Sequence, residues 1–128
     1  MAGLAIYDTI QFIHAPVSTL CLGVAASMAT MLLCSGAPGR RFALPNSTIH
    51  QHPASITQME GYAPDIEIQA RQLIDNNQRL RRLMAKHTGR SLEEIARDFD
   101  RDRFMSAAEA QEYGLIDAIL TNHRLGGL

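Results

Sequence analysis

The sequence has few features that indicate a charged partner, a metal or a membrane. Its net charge is −1 over 128 residues, which gives no reason to expect nucleic acid or an anionic membrane as a partner. The two cysteines, Cys21 and Cys34, have no metal-ligand or redox spacing, and their apolar surroundings predict buried free thiols in a reducing compartment. The one membrane-like window, residues 17–34, contains polar residues and lacks aromatic belts, so we interpret it as a strand followed by a buried helix.

The length and the apolar pattern predict one α/β domain. Helices are predicted at residues 2–13, 27–36, 65–87, 92–98 and 107–113, and strands at 17–22, 40–44, 48–52 and 115–120. The helix at 65–87 is the longest element, roughly 35 Å. Its many polar residues indicate either a protruding or partner-facing helix or an ordinary surface helix.

Ser27 stands where a predicted strand gives way to a predicted helix. A hydroxyl there lies near unpaired backbone N–H groups and the positive end of the helix dipole, which suits a nucleophile. The same position favours serine as a simple helix N-cap, and from residues 22–29 alone the cap is the favoured interpretation. No Gly-x-Ser-x-Gly motif is present, so an α/β-hydrolase elbow is not indicated. Ser91 and Ser106 each begin a capping box and are predicted to be caps.

Two histidines and a charged run supply candidate partners for a nucleophile. His50 and His52 lie two residues apart and share one face of a predicted strand. Such a pair could also bind zinc, but no cysteine or carboxylate is near them in sequence. Asp98, Asp100 and Asp102 lie in a run of alternating charge, which is usually a solvated face. Periodicity does not select an orienting acid among the three.

Several blocks of the sequence, in one order and register, resemble the proteolytic subunit of ATP-dependent Clp protease, the ClpP family. The blocks are residues 2–13, 23–29, 41–47, 65–70, 100–107 and 113–117. The resemblance runs from Ala2 to about Leu120. It implies a ClpP/crotonase-like fold of short parallel β-α units with a protruding handle helix at 65–87, and the activity of a serine endopeptidase.

The resemblance also implies the roles of individual residues. Ser27 would be the nucleophile, His52 the base, Asp102 the orienting acid, and the backbone N–H of Met28 an oxyanion donor. Counting from Asn46 without a gap selects His52. Aligning Ile49-His50-Gln51 with the Ile-His-Gln of the family pattern selects His50 instead, but this alignment needs a two-residue gap. His50 therefore stays an alternative candidate for the base.

The partners implied by the resemblance are other protein chains. They are the same or paralogous subunits in two stacked heptameric rings, a hexameric Clp ATPase, and unfolded polypeptide substrates in the cytoplasm. The chain itself would need no metal or cofactor, because the ATPase uses the ATP, and it would bind neither nucleic acid nor a membrane. An ATPase-docking pocket would include the following apolar residues, for which ordinary core is the alternative: Phe12, Leu20, Phe42, Leu44 and Leu120.

The sequence departs from the family pattern in three places. Val24 replaces a common glutamine, Pro53 directly follows His52, and residues 54–60 replace a glycine-rich stretch. The family's Ser-Pro-Gly-Gly oxyanion loop would precede Ala2. The resemblance therefore predicts a single domain over residues 1–128 that lacks the N-terminal strands and that loop. Losing one oxyanion donor typically lowers the rate by about 10²–10³.

Two other functions remain open from the sequence. One is a non-catalytic ClpP-like structural subunit or truncated gene product. The other, weaker alternative is a non-proteolytic crotonase-like enzyme, against which the serine, histidine and aspartate set argues.

Overall fold

The computed structural model describes residues 2–55 and 58–122, and over these the chain alternates helices with short strands. The helices are α1 (Ala2–Phe12), α2 (Met28–Cys34), α3 (Ala63–Thr88), α4 (Leu92–Asp98) and α5 (Ala107–Tyr113). The strands are β1 (Thr19–Cys21), β2 (Val24–Ala26), β3 (Arg41–Ala43), β4 (Thr48–Gln51), β5 (Arg103–Ser106) and β6 (Ala118–Ile119). In the part of the chain that the structure describes, no helix combines the length and hydropathy that a membrane span requires.

The strands form two three-stranded sheets. One has the order β1-β3-β6 and is parallel throughout. The other has the order β2-β4-β5, in which β2 runs parallel to β4 and β5 runs antiparallel to it. This mixed arrangement, with helices between parallel strands, confirms the predicted α/β class.

Two strands of the second sheet, β2 and β5, were not predicted from the sequence. β2 is Val-Ala-Ala, and alanine is depleted in strands. β5 lies at the end of the charged run and begins with Arg103. Both are ordered by pairing with β4, so tertiary pairing outweighs weak local propensity.

The long helix α3 extends two residues before and one residue beyond its predicted range. It begins with Pro64 in its first turn and ends at Gly89, whose φ of 74° gives a left-handed cap. Met84 is its buried residue among those described. Ile68 and Ile74, nearer the N-terminus, are 65% and 54% exposed. The first part of α3 is therefore not covered by the core of this chain.

Both cysteines are buried free thiols, as predicted. Burial raises the pKa of Cys34 to about 12, so this thiol stays protonated and unreactive at neutral pH. It belongs to the face of α2 that packs into the core with Met31 and Leu33.

Arg41, at the start of β3, joins the ends of several elements. Its guanidinium donates two hydrogen bonds to the Asp117 carboxylate, at 2.7 and 3.0 Å. The remaining Nη1 donates to the carbonyls of Cys34, His87 and Gly114, at the ends of α2, α3 and α5. These hydrogen bonds from Arg41 lower the pKa of Asp117. The buried guanidinium of Arg41, whose charge Asp117 balances, therefore holds three helix ends against β3.

We expect Asp117→Asn to lower the free energy of unfolding by about 3 kcal/mol, because it leaves a buried guanidinium without its charged partner. The lowered native pKa makes this contribution complete above the unfolded-state value of about 3.9. It is lost as the pH falls through the native pKa. Urea unfolding of both proteins should show a constant difference from pH 7 to pH 5 that shrinks below about pH 4.

Glu67→Gln is the matched control, since Glu67 pairs with Arg71 at 64% and 75% side-chain exposure. We expect a change of at most about 0.5 kcal/mol there. Equal effects of the two substitutions would contradict the role assigned to Asp117.

Candidate active site

Ser27 occupies a strained turn between β2 and α2. Its φ is 56° and its ψ is −117°, and among the described residues it alone combines a positive φ with a side chain. Such a conformation typically costs on the order of 1–3 kcal/mol and is found at functional sites. Ser27 occupies the N-cap position of α2, but its side chain makes no capping hydrogen bond, so its hydroxyl does not act as a helix cap. Ser91 and Ser106, in contrast, each form the predicted capping box.

Hydrogen bonds to the carbonyl of His50 hold this turn in place. The backbone N–H of Ser27 donates to that oxygen at 3.0 Å. The hydroxyl of Thr30, a fully buried residue, lies 2.7 Å from the same oxygen and 3.0 Å from the carbonyl oxygen of Ala25. β2, β4 and the first turn of α2 are therefore connected directly at Ser27.

His50 lies in the middle of β4, opposite Ala26 of β2 and Phe104 of β5. Its ring stacks on the Phe104 ring, with the centroids 4.0 Å apart and the planes at 4°. Its Nε2 lies 2.9 Å from Oδ1 of Asp102. Because an ionised carboxylate only accepts hydrogen bonds, Nε2–H is the donor. The side chain of Asp102 is 69% exposed, whereas that of His50 is 18% exposed.

His52 lies directly after β4, beside His50. The centroids of the two rings are 5.2 Å apart. The Nδ1 of His52 lies 2.7 Å from the carbonyl oxygen of Pro53. Asp102 therefore bonds His50, the rival base, and His52 bonds a backbone carbonyl. The structure places Ser27, both histidines and Asp102 on or beside one sheet, and it joins Asp102 to His50 in this conformation.

Met28 is the first residue of α2 and follows Ser27 directly. Its backbone N–H is one of the four at a helix start that lack a carbonyl partner four residues earlier within the helix. This is the position expected of an oxyanion donor, and that role stays a prediction. Within residues 2–55 and 58–122, no cluster of three metal-ligating side chains occurs.

The predicted ATPase-docking residues fall into two groups. Phe12 is 87% exposed, and Leu20 and Leu44 are also exposed. Phe42 is buried and Leu120 is half-buried. Phe42 is therefore an ordinary core residue, whereas Phe12 is not. A role of these residues in docking an ATPase stays a prediction.

Thr30 lies within hydrogen-bond distance of the His50 carbonyl, and Asn77 bonds Ala54, two residues after His52; neither contact was predicted from the sequence. In the sequence, Thr30 is predicted only to lie in a buried helix. Asn77 is predicted only to lie among the polar residues of the long helix, but its side chain bonds Ala54, 23 positions away. Periodicity assigns each to a face, but it carries no signal for these hydrogen-bond partners.

We expect Ser27→Gly to be more stable than Ser27→Ala by about 1 kcal/mol. Alanine keeps the penalty of the left-handed backbone and glycine does not. Urea unfolding of the two variants measures this difference. An alanine variant as stable as the glycine variant would contradict the strain assigned to Ser27.

The Clp protease family model matches residues 1–123. Two similar relatives are the ATP-dependent Clp protease proteolytic subunits of Dehalococcoides mccartyi strains BAV1 and CBDB1. Each is 57% identical over 119 residues, which is 93% of this chain and 59% of the relative. The subunit of strain 195 is 56% identical over 119 residues, again 93% of this chain and 59% of the relative. The chain thus spans 59% of the length of these curated relatives, and it belongs to the Clp protease family.

Proposed function

We propose that this chain acts in an ATP-dependent Clp protease as a serine endopeptidase subunit that hydrolyses unfolded polypeptides. The observation that carries the proposal is Ser27. Its hydroxyl sits on a strained strand-to-helix turn. The backbone of that turn bonds the carbonyl of His50 on β4, and the ring of His50 bonds the Asp102 carboxylate. Strain of this kind is retained where it positions a reacting group. Membership of the Clp protease family supports the same activity.

The reaction would be acyl transfer through Ser27. Its Oγ attacks the carbonyl carbon of a peptide bond while a histidine takes the hydroxyl proton. The backbone N–H of Met28 donates to the developing oxyanion. The histidine then protonates the leaving amine, and the C–N bond breaks to give an acyl-enzyme. Water, activated by the same histidine, attacks the ester, which releases the carboxylic acid and restores Ser27.

The base in this proposal is His52, and Asp102 is the orienting acid. The spacing of the family pattern supports His52. Asp102 is bonded to His50 in this conformation, and its side chain is exposed. To orient His52 it would turn away from His50 and replace the Pro53 carbonyl at Nδ1. His50 is the second candidate base, which the 2.9 Å contact with Asp102 favours.

The partners in this proposal are protein chains. Like subunits would form two stacked heptameric rings in the cytoplasm, and a hexameric Clp ATPase would supply unfolded substrate. The exposed Ile68 and Ile74 of α3 support a subunit contact along that helix. A non-catalytic structural subunit is the second candidate function, which the exposed Ile68 and Ile74 support equally.

Labelling with a fluorophosphonate tests the nucleophile. We expect a single adduct on Ser27, located by peptide mass spectrometry, because such reagents phosphonylate activated serines. Ser27→Ala should give no adduct. Ser55→Ala is the control, since Ser55 is exposed, and it should be labelled like the parent chain. An adduct that persists in Ser27→Ala would contradict the assignment, and a parent chain that is never labelled would favour the structural subunit.

Alanine substitution of each histidine separates the two candidate bases. We expect His52→Ala to slow labelling of Ser27 by about 10²–10⁴-fold, the usual contribution of a general base. His50→Ala should slow it by less than about tenfold, because His50 is not in the proton path of this proposal. A larger decrease in labelling rate for His50→Ala than for His52→Ala would assign the base to His50. Small and equal decreases would show that neither histidine is the base.

A further inference from the structure

The ring of His52 is oriented by a backbone carbonyl. Its Nδ1 lies 2.7 Å from the Pro53 oxygen. A carbonyl oxygen only accepts, so the Nδ1 carries the hydrogen and donates it. In the neutral ring, Nε2 then carries the free lone pair. This is the tautomer that a general base needs to take a proton through Nε2.

The same peptide group is held from the other side by Asn77 of α3. The carbonyl of Pro53 and the N–H of Ala54 belong to one planar peptide unit. That N–H donates to Oδ1 of Asn77 at 2.8 Å. The Nδ2 of Asn77 donates in turn to the carbonyl oxygen of Ala54 at 3.1 Å. The first hydrogen bond holds the peptide whose carbonyl orients the His52 ring, and the second holds the next peptide along the chain.

The rest of this segment is also held. The carbonyl oxygen of His52 accepts a hydrogen bond from Nε2 of Gln51 at 3.2 Å. Asn77 lies two turns before the buried Met84, and Leu80 between them packs against the core. Asn77 is therefore anchored through α3, and the His52 segment takes its position from that helix.

We propose that Asn77 is a positioning residue for His52, acting through the Pro53–Ala54 peptide. In this conformation the Pro53 carbonyl holds the Nδ1–H of His52, which is the position that the Asp102 carboxylate would take in the proposed triad. Asn77 therefore acts on the arrangement in which Asp102 bonds His50, and it keeps His52 in the tautomer that the triad uses. Hydrogen bonds in a chain strengthen one another, so the bond from Ala54 to Asn77 makes the Pro53 oxygen a better acceptor. The catalytic part of this inference rests on the proposed function. The orientation of the ring does not.

Three substitutions in the full chain test this inference. Asn77→Leu removes both hydrogen bonds to Ala54. Asn77→Asp keeps an acceptor for the Ala54 N–H and loses the donor. Gln72→Leu is the control, because Gln72 is exposed on the same helix and its side-chain amide bonds Asn76 within that helix. Asn77→Ala repeats the first test without adding apolar bulk, should Asn77→Leu fail to fold.

The readouts are amide hydrogen exchange at Ala54 and the ¹⁵N chemical shifts of the His52 ring, which report its tautomer. For Asn77→Leu we expect faster exchange at Ala54 and a shift of His52 toward the Nε2–H tautomer. Asn77→Asp and Gln72→Leu should retain the protection of Ala54 and the Nδ1–H tautomer. Phosphonylation of Ser27 should slow by about 10- to 100-fold in Asn77→Leu, the size of effect that a misplaced catalytic group produces.

Two results would overturn the inference. Unchanged exchange at Ala54 in Asn77→Leu would show that the contact does not hold the segment. Faster exchange with an unchanged His52 tautomer would show that the contact does not orient the ring. Failure of the parent chain to react at Ser27 would instead count against the proposed function, and the tautomer measurement would still decide the role of Asn77.

Discussion

The geometry of the candidate site depends on the hydrogen bonds accepted by one oxygen, the carbonyl of His50. It accepts from the N–H of Ser27 at 3.0 Å, and the buried hydroxyl of Thr30 lies 2.7 Å away. These contacts join the end of β2 and the start of α2 to the middle of β4. A left-handed backbone at a serine persists only where its surroundings determine it. Here the surroundings are a parallel strand pair and a threonine with no solvent exposure.

The opposite end of α2 is held just as firmly. Arg41 reaches the carbonyl of Cys34 there, and it binds the ends of α3 and α5 with the same guanidinium group. Asp117 balances its charge. Helix α2 is therefore fixed by polar contacts at both ends and by apolar packing between them. A seven-residue helix is too short to be stable alone, and this tertiary framework is what keeps Ser27 in position.

The elements that could be predicted from sequence are those with a strong local cause. Ser91 and Ser106 begin capping boxes, and Gly89 and Gly114 end helices in the left-handed conformation. Strands β2 and β5 could not be predicted, because alanine and arginine give no strand signal and only pairing with β4 orders them. The position of Ser27 at a strand-to-helix junction was confirmed. Its strained backbone replaces the simple cap that local preference favours.

The partners of the two histidines could not be predicted for a different reason. Strand periodicity places both on one face, but a side-chain rotation decides which ring Asp102 reaches. His52 bonds the carbonyl of Pro53, and the N–H of the same peptide bonds Asn77, which lies on a helix turn distant in sequence. The most direct test of the account is rapid mixing of the chain with a peptide p-nitrophenyl ester, followed by quenching and mass spectrometry. Nucleophilic catalysis predicts a burst of about one equivalent of nitrophenol per chain, with the acyl group on Ser27. An absent burst, or an acyl group on another residue, would contradict it.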